Sequence, residues 1–177
     1  MRLIKIRESW VSYLPKLLAL SLLMIGLAFW FFQNYRIGID SQTDRCIPEY
    51  RVYLIDLNDS KLIKGNIYAF KSKGVEPIFR DGTTMVKFLS AKENDFVEVS
   101  EKFNVLVNNE VVASGLPLLN KISNDAKDFN FANKFIGKKI LGKGEMWFLG
   151  KSFTSFDSRY WGVVKNEQII GRAHPLF

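Results

Sequence analysis

The chain has 177 residues, 47% hydrophobic and 24% charged, which is the composition of one ordinary domain and is too short for a multidomain enzyme. A net charge of +7 from 25 Lys and Arg against 18 Asp and Glu is compatible with a nucleic acid, a membrane surface or plain solubility and selects none of them. A single cysteine and a single histidine exclude an internal disulfide and any metal site built on two or more imidazoles, so no metal and no cofactor is expected. The histidine, His174, precedes Pro175 and is a poor general base for a Ser-His-Asp triad.

The first predicted element is a transmembrane helix. Nineteen uncharged residues separate Lys16 from Arg36, and their core, Leu17 to Phe32, is apolar throughout. As a helix this stretch is about as long as the hydrocarbon core of a bilayer is thick. Trp30 with Phe29, Phe31 and Phe32 at one end, and Trp10 with Tyr13 beyond the other, suit the two interfaces. The run is longer than the apolar part of a secretory signal, and Gln33-Asn34-Tyr35-Arg36 offers no small-residue cleavage site, so the anchor stays uncut. Residues 1–16 carry four basic side chains against one acidic, which holds that end in the cytoplasm. The expected layout is a cytoplasmic basic segment over 1–16, an anchor over 17–35 and an exported domain over 36–177. In a bacterium this means a single-pass inner-membrane protein with its domain in the periplasm.

From Tyr50 onward the pattern becomes short β-branched and aromatic runs cut by Gly, Asn and Asp. These are 51–56, 66–70, 85–89, 95–99, 103–107, 145–149 and 168–170. Period-two alternation between turn residues predicts a mainly β, antiparallel domain, with a tight hairpin at Val107-Asn108-Asn109-Glu110-Val111. Residues 120–139 break the rhythm, being polar, Asn-rich and basic, and are read as an inserted loop or short helical excursion. Their interleaved aromatics do not make a nucleic-acid surface in an exported domain, so no nucleic-acid partner is expected.

The last third holds Ser155-Phe-Asp-Ser-Arg-Tyr-Trp-Gly162 and then Ile169-Ile-Gly-Arg-Ala173. By itself the first piece is a turn in which Asp157 and Arg159 form a local ion pair. The ordered set of positions also closely resembles the C-terminal signature of the type I signal peptidase superfamily, and most of all its conjugative-transfer branch, whose members mature pilins. Val86-Lys87-Phe88-Leu89 followed by Asp95-Phe-Val-Glu-Val99 resembles the family's lysine box, which implies Lys87 as the general base. Ser90-Ala-Lys-Glu-Asn94 stands where the family has Gly-x-Pro-Gly, and Gly150-Lys151 where it has Gly-Asp-Asn. In the nucleophile box, Arg45-Cys46-Ile47-Pro48 matches with Cys46 in the serine position; Ser41 is a weaker substitute because its neighbours lack the proline. Asp157 resembles the acidic residue kept near the lysine, to orient it or to hold Arg159.

The resemblance implies a signal-peptidase-like β domain after one anchor, and an endopeptidase with a Cys/Lys or Ser/Lys dyad of Cys46 (or Ser41) and Lys87, with Asp157 as the acidic residue beside it. The chemistry fits the residues, since only a neutral lysine amine can accept the nucleophile's proton and a thiol is far more acidic than a hydroxyl. Substrates would be membrane-tethered, pilin-like precursors cut after small side chains, with inner-membrane lipid and conjugative secretion components as further partners. The other reading is a catalytically inactive relative serving as a structural part of a conjugative pilus or secretion apparatus.

Overall fold

A computed structural model describes residues 10–59, 61–125 and 137–177. It divides into two compact units, Met1–Tyr35 and Arg36–Phe177.

In the first unit, helix α1 spans Trp10–Asn34, 25 residues with none buried, so it begins seven residues before the start expected for the anchor. It is the one helix among the described residues long and apolar enough to cross a membrane. Its extra turns pass through Pro15, the sixth residue of the described helix, which has no N–H to donate to the carbonyl one turn back. At the other end Asn34 Nδ2 donates back to the Trp30 carbonyl, one turn earlier, at 2.7 Å. Trp10 with Tyr13 and Trp30 with Tyr35 make edge-on aromatic contacts at the two ends.

The second unit is antiparallel β. A seven-stranded sheet runs in the order β1 (Tyr35–Ile39), β2 (Val52–Asp56), β11 (Ile169–Pro175), β3 (Ile67–Lys71), β4 (Thr84–Ala91), β9 (Glu145–Leu149), β10 (Val164–Lys165). A four-stranded sheet runs β7 (Glu110–Ser114), β6 (Asn104–Val107), β5 (Phe96–Val99), β8 (Gly137–Ile140). Between strands lie α2 (Leu119–Asp125) and the single turn α3 (Ser158–Trp161). Each of the seven runs expected as strands overlaps one. The hairpin forms as its sequence demands, with Val107 opposite Glu110 and with Asn108 and Asn109 at φ 51° and 71°, the left-handed pair of a two-residue turn. The polar segment behaves differently: its start is α2, its end is strand β8 paired to β5 with Phe96 opposite Ile140, and residues 126–136 lie outside the described ones. Strand β8 is exposed on every residue, so its sequence carries no apolar alternation to reveal it.

Strand β4 divides the core. Met85, Lys87, Leu89 and Ala91 are buried on one face while Val86 and Phe88 turn to the other. Met85 and Leu89 join Tyr68, Phe70, Phe148 and Phe156 in one cluster. Val86 and Phe88 pack with Ile47, Tyr53, Ile55 and Ala69 on the opposite side. Gly171 lets β11 lie close to β2, since a side chain there would meet the Asp56 carbonyl at 2.0 Å.

Candidate active site

Cys46 sits in the loop between β1 and β2. Pro48 follows in a tight turn, closed by Tyr50 N–H donating to the Ile47 carbonyl at 3.2 Å, a position that suits the fixed φ of proline. Ile47, 1% exposed, pins the turn into the core beneath it. The Cys46 carbonyl accepts from the N–H groups of Lys151 (2.8 Å) and Ser152 (3.0 Å), and the Lys151 side chain pairs with Glu49 in the same turn. That pair holds the Glu49 carboxyl below its usual range. The half-buried thiol is thus carried on a backbone fixed from both sides.

Lys87 is 3% exposed, opposite Tyr68 of β3. Among the described residues its amine has no hydrogen-bond or ion-pair partner. Buried lysines without partners are rare, because desolvation disfavours the charge. Cys46 and Lys87 line one cleft of about 640 Å³, with Ser41, Asp40, Val86 and Ile55. Strands β1 and β4, separated by three others in the sheet, both line this cleft, so the sheet curls around it. Ser41 is exposed there, whereas Cys46 is half-buried and anchored. Tyr53, on the cleft wall, has its phenol pushed up to about 12, first by burial and then by Asp40, Cys46 and Glu49, so it stays protonated.

The Ser155–Tyr160 segment braces this loop from behind. Asp157 is fully buried; its Oδ1 accepts from Arg159 Nε (2.8 Å) and its Oδ2 from Arg159 Nη2 (3.0 Å) and the Gly150 N–H (3.0 Å). None of these bonds goes to Lys87. Arg159 donates further to the carbonyls of Gly115 (3.2 Å) and Ser155 (3.1 Å). Burial opposes the guanidinium charge, but the Asp157 bonds outweigh that and hold Arg159 above its usual value, with the Cys46 thiol a smaller contributor through space. Ser158 Oγ accepts from Phe148 N–H at 2.9 Å, and Tyr160 Oη from Leu118 N–H at 3.0 Å. The motif therefore ties Gly150, and through Lys151 and Ser152 the Cys46 carbonyl, to the body of the domain.

Two residues of this arrangement were not singled out by sequence reasoning. Gly150 has no room for a side chain, because a Cβ would lie 2.0 Å from Ser155 Oγ and 2.9 Å from the Cys46 carbonyl. Ser155 Oγ is buried with no partner among the described residues, an unsatisfied group of the kind that gathers at functional sites. Both lie inside quoted motifs, but only their contacts distinguish them from other small turn residues.

No curated protein matches the chain. Among solved structures it is similar to a signal peptidase I from Enterococcus faecalis, with 24% identity and a TM-score of 0.41 over 65% of this chain and 98% of that one. The model of the family described as signal peptidase, peptidase S26, matches residues 10–177, from the first described residue of α1 to the end of the β domain. With nearly its whole length matched, this chain belongs to the signal peptidase family S26.

Proposed function

We propose that this signal-peptidase-family protein is a membrane-anchored endopeptidase that matures pilin or other conjugative-transfer precursors, with Cys46 as nucleophile and Lys87 as general base. The observation that carries the reading is that Lys87, a buried residue whose amine has no hydrogen-bond or ion-pair partner among the described residues, lines the same cleft as the anchored Cys46. The free edge of β4 supplies the place for substrate. Strand β9 pairs with β4 only from Phe88 onward, which leaves Thr84–Lys87 without a strand partner on that side among the described residues. An extended peptide adds to such an edge through main-chain bonds.

In the reaction the neutral Lys87 amine takes the thiol proton and the Cys46 sulfur attacks the scissile carbonyl. The developing oxyanion is stabilised by backbone N–H, that of Cys46 included. The C–N bond then breaks, the leaving amine takes the proton from the Lys87 ammonium, and a thioester remains. Water, deprotonated by Lys87, attacks the thioester and restores the thiol. Asp157 is a positioning residue here: with Arg159 it fixes Gly150 and hence the Cys46 loop.

The conjugative assignment rests on Ser155-Phe-Asp-Ser-Arg-Tyr160, and the topology on the basic bias of 1–16 ahead of the apolar helix. In this reading α1 spans the inner membrane, the amino end is cytoplasmic and the β domain periplasmic, where a reporter fused after Phe177 is active. The test of the chemistry pairs the purified full chain with a pilin precursor. Cys46→Ala and Lys87→Ala each abolish the size shift while the fold and membrane insertion remain intact. Processing that survives both substitutions would leave the structural-component reading in its place.

A further inference from the structure

We infer that Cys46 is a reversible modification site: it exchanges with low-molecular-weight disulfides of the glutathione class, forming a mixed disulfide that switches the peptidase off until a thiol removes it. This rests on the endopeptidase reading above.

Most free cysteines are inert because they lie buried in apolar surroundings. Cys46 is instead half-buried and lines a cleft of about 640 Å³, a size that takes a small peptide-like molecule. The same cleft is lined by Lys87, 3% exposed and without a hydrogen-bond or ion-pair partner among the described residues. A buried amine that no carboxylate or carbonyl engages is available to take up a proton, and the Cys46 thiol is the acidic S–H on that cleft. Arg36 and Lys71 on the cleft wall, with Asp40 and Asp44, offer counter-charges of both signs to a ligand that carries carboxylates and ammonium groups together.

The bonds from the Lys151 and Ser152 N–H groups to the Cys46 carbonyl, and the buried Ile47 beside it, keep the sulfur at its place in the cleft. The chain has one cysteine, so no second thiol of its own can resolve a mixed disulfide formed there.

In the exchange the Lys87 amine takes the Cys46 proton and the sulfur attacks one sulfur of the disulfide. The S–S bond breaks, and the second half leaves as a thiolate that takes the proton back from the Lys87 ammonium. Cys46 is thereby oxidised to the mixed disulfide and half of the reagent is reduced to its thiol. A free thiol attacking the adduct reverses the step, with Cys46 as the leaving group. While the adduct stands, no thiol is left to attack a peptide carbonyl, and the added group occupies the cleft. A serine in this position cannot exchange, so the sensitivity belongs to the cysteine that this chain carries.

The experiment treats the purified, detergent-solubilised full chain with glutathione disulfide at neutral pH, following intact mass on the protein alone and precursor processing in parallel. One adduct per chain is expected, processing falls in step with it, and dithiothreitol restores both. Cys46→Ser takes no adduct, and the processing it keeps is indifferent to the disulfide. Lys87→Met puts an apolar chain of similar length at a buried position and slows adduct formation by about tenfold or more, with a melting curve close to the parent's. The folded parent also reacts faster than its urea-unfolded chain, a comparison that needs no variant. Absence of an adduct on the folded parent overturns the site, as does a rate that neither Lys87→Met nor unfolding changes. An adduct that leaves processing untouched overturns the switch. A parent that processes precursor but takes no adduct loses only this inference, whereas a Lys87-dependent adduct on a chain that processes nothing removes the endopeptidase reading and leaves the modification site standing.

Discussion

Asp157 and Arg159, two residues apart in the chain, form a closed ion pair whose side chains are 0% and 3% exposed, and the carboxylate that holds the guanidinium also holds the Gly150 N–H. The loop carrying the candidate nucleophile is thus braced by a buried charge pair some hundred residues further along the chain.

Breaking that pair leaves an uncompensated buried guanidinium. Asp157→Ala should lower stability by about 3–5 kcal/mol, read from denaturant unfolding followed by tryptophan fluorescence. Arg159→Lys should also destabilise, because an ammonium cannot reproduce the fork that serves Asp157, Gly115 and Ser155 together. An Asp157→Ala protein as stable as the parent would refute the bracing role.

Gly150→Ala should push Ser155 and the Cys46 carbonyl apart, since its Cβ has no space. The expected cost is about 1–3 kcal/mol of overpacking. Alkylation of the displaced Cys46 thiol should be faster, and Ser155→Gly in the same chain should recover part of the stability. Unchanged melting and alkylation of Gly150→Ala would show that the loop yields freely.

Members of a dyad act as a unit, so Cys46→Ala with Lys87→Ala should be little worse than either alone. Cys46→Ser should keep part of the processing activity but gain more steeply towards alkaline pH than the parent, because a hydroxyl depends more strictly on the neutral amine. Ser41→Ala should matter little. Loss of processing with Ser41→Ala alone would move the nucleophile to Ser41.

At the turn before β5, burial raises the Asp95 carboxyl, but bonds from Lys64 (2.8 Å), the Lys92 N–H (2.9 Å) and Asn108 (2.7 Å) outweigh it and hold the group below its ordinary 3.8. A lowered carboxyl contributes stability that is fully present above the ordinary value and is lost as pH falls through the lowered one. The urea midpoint should therefore drop on acidification below about pH 4, and Asp95→Asn should flatten that drop while lowering the midpoint at neutral pH. A midpoint with the same acid dependence in both proteins would assign it to other carboxylates.

What the sequence determined by itself was whatever depends on near neighbours. An uncharged run of helix length, the alternation that buries Lys87 between Met85 and Leu89, the Asn-Asn hairpin and the Pro48 turn after Cys46 are set by a few adjacent residues and the period of the backbone. The Asp157–Arg159 pair was legible for the same reason, being two residues apart. Only the tertiary structure decided that Cys46 and Lys87 share a cleft, that Gly150 and Ser155 crowd the Cys46 loop, and that the exposed residues 137–140 form a strand. Each of these depends on which distant segments pair and on how far the sheet curls. Period and propensity fix the face a side chain occupies, but its partners follow from strand order and register, which the burial of the whole core selects at once.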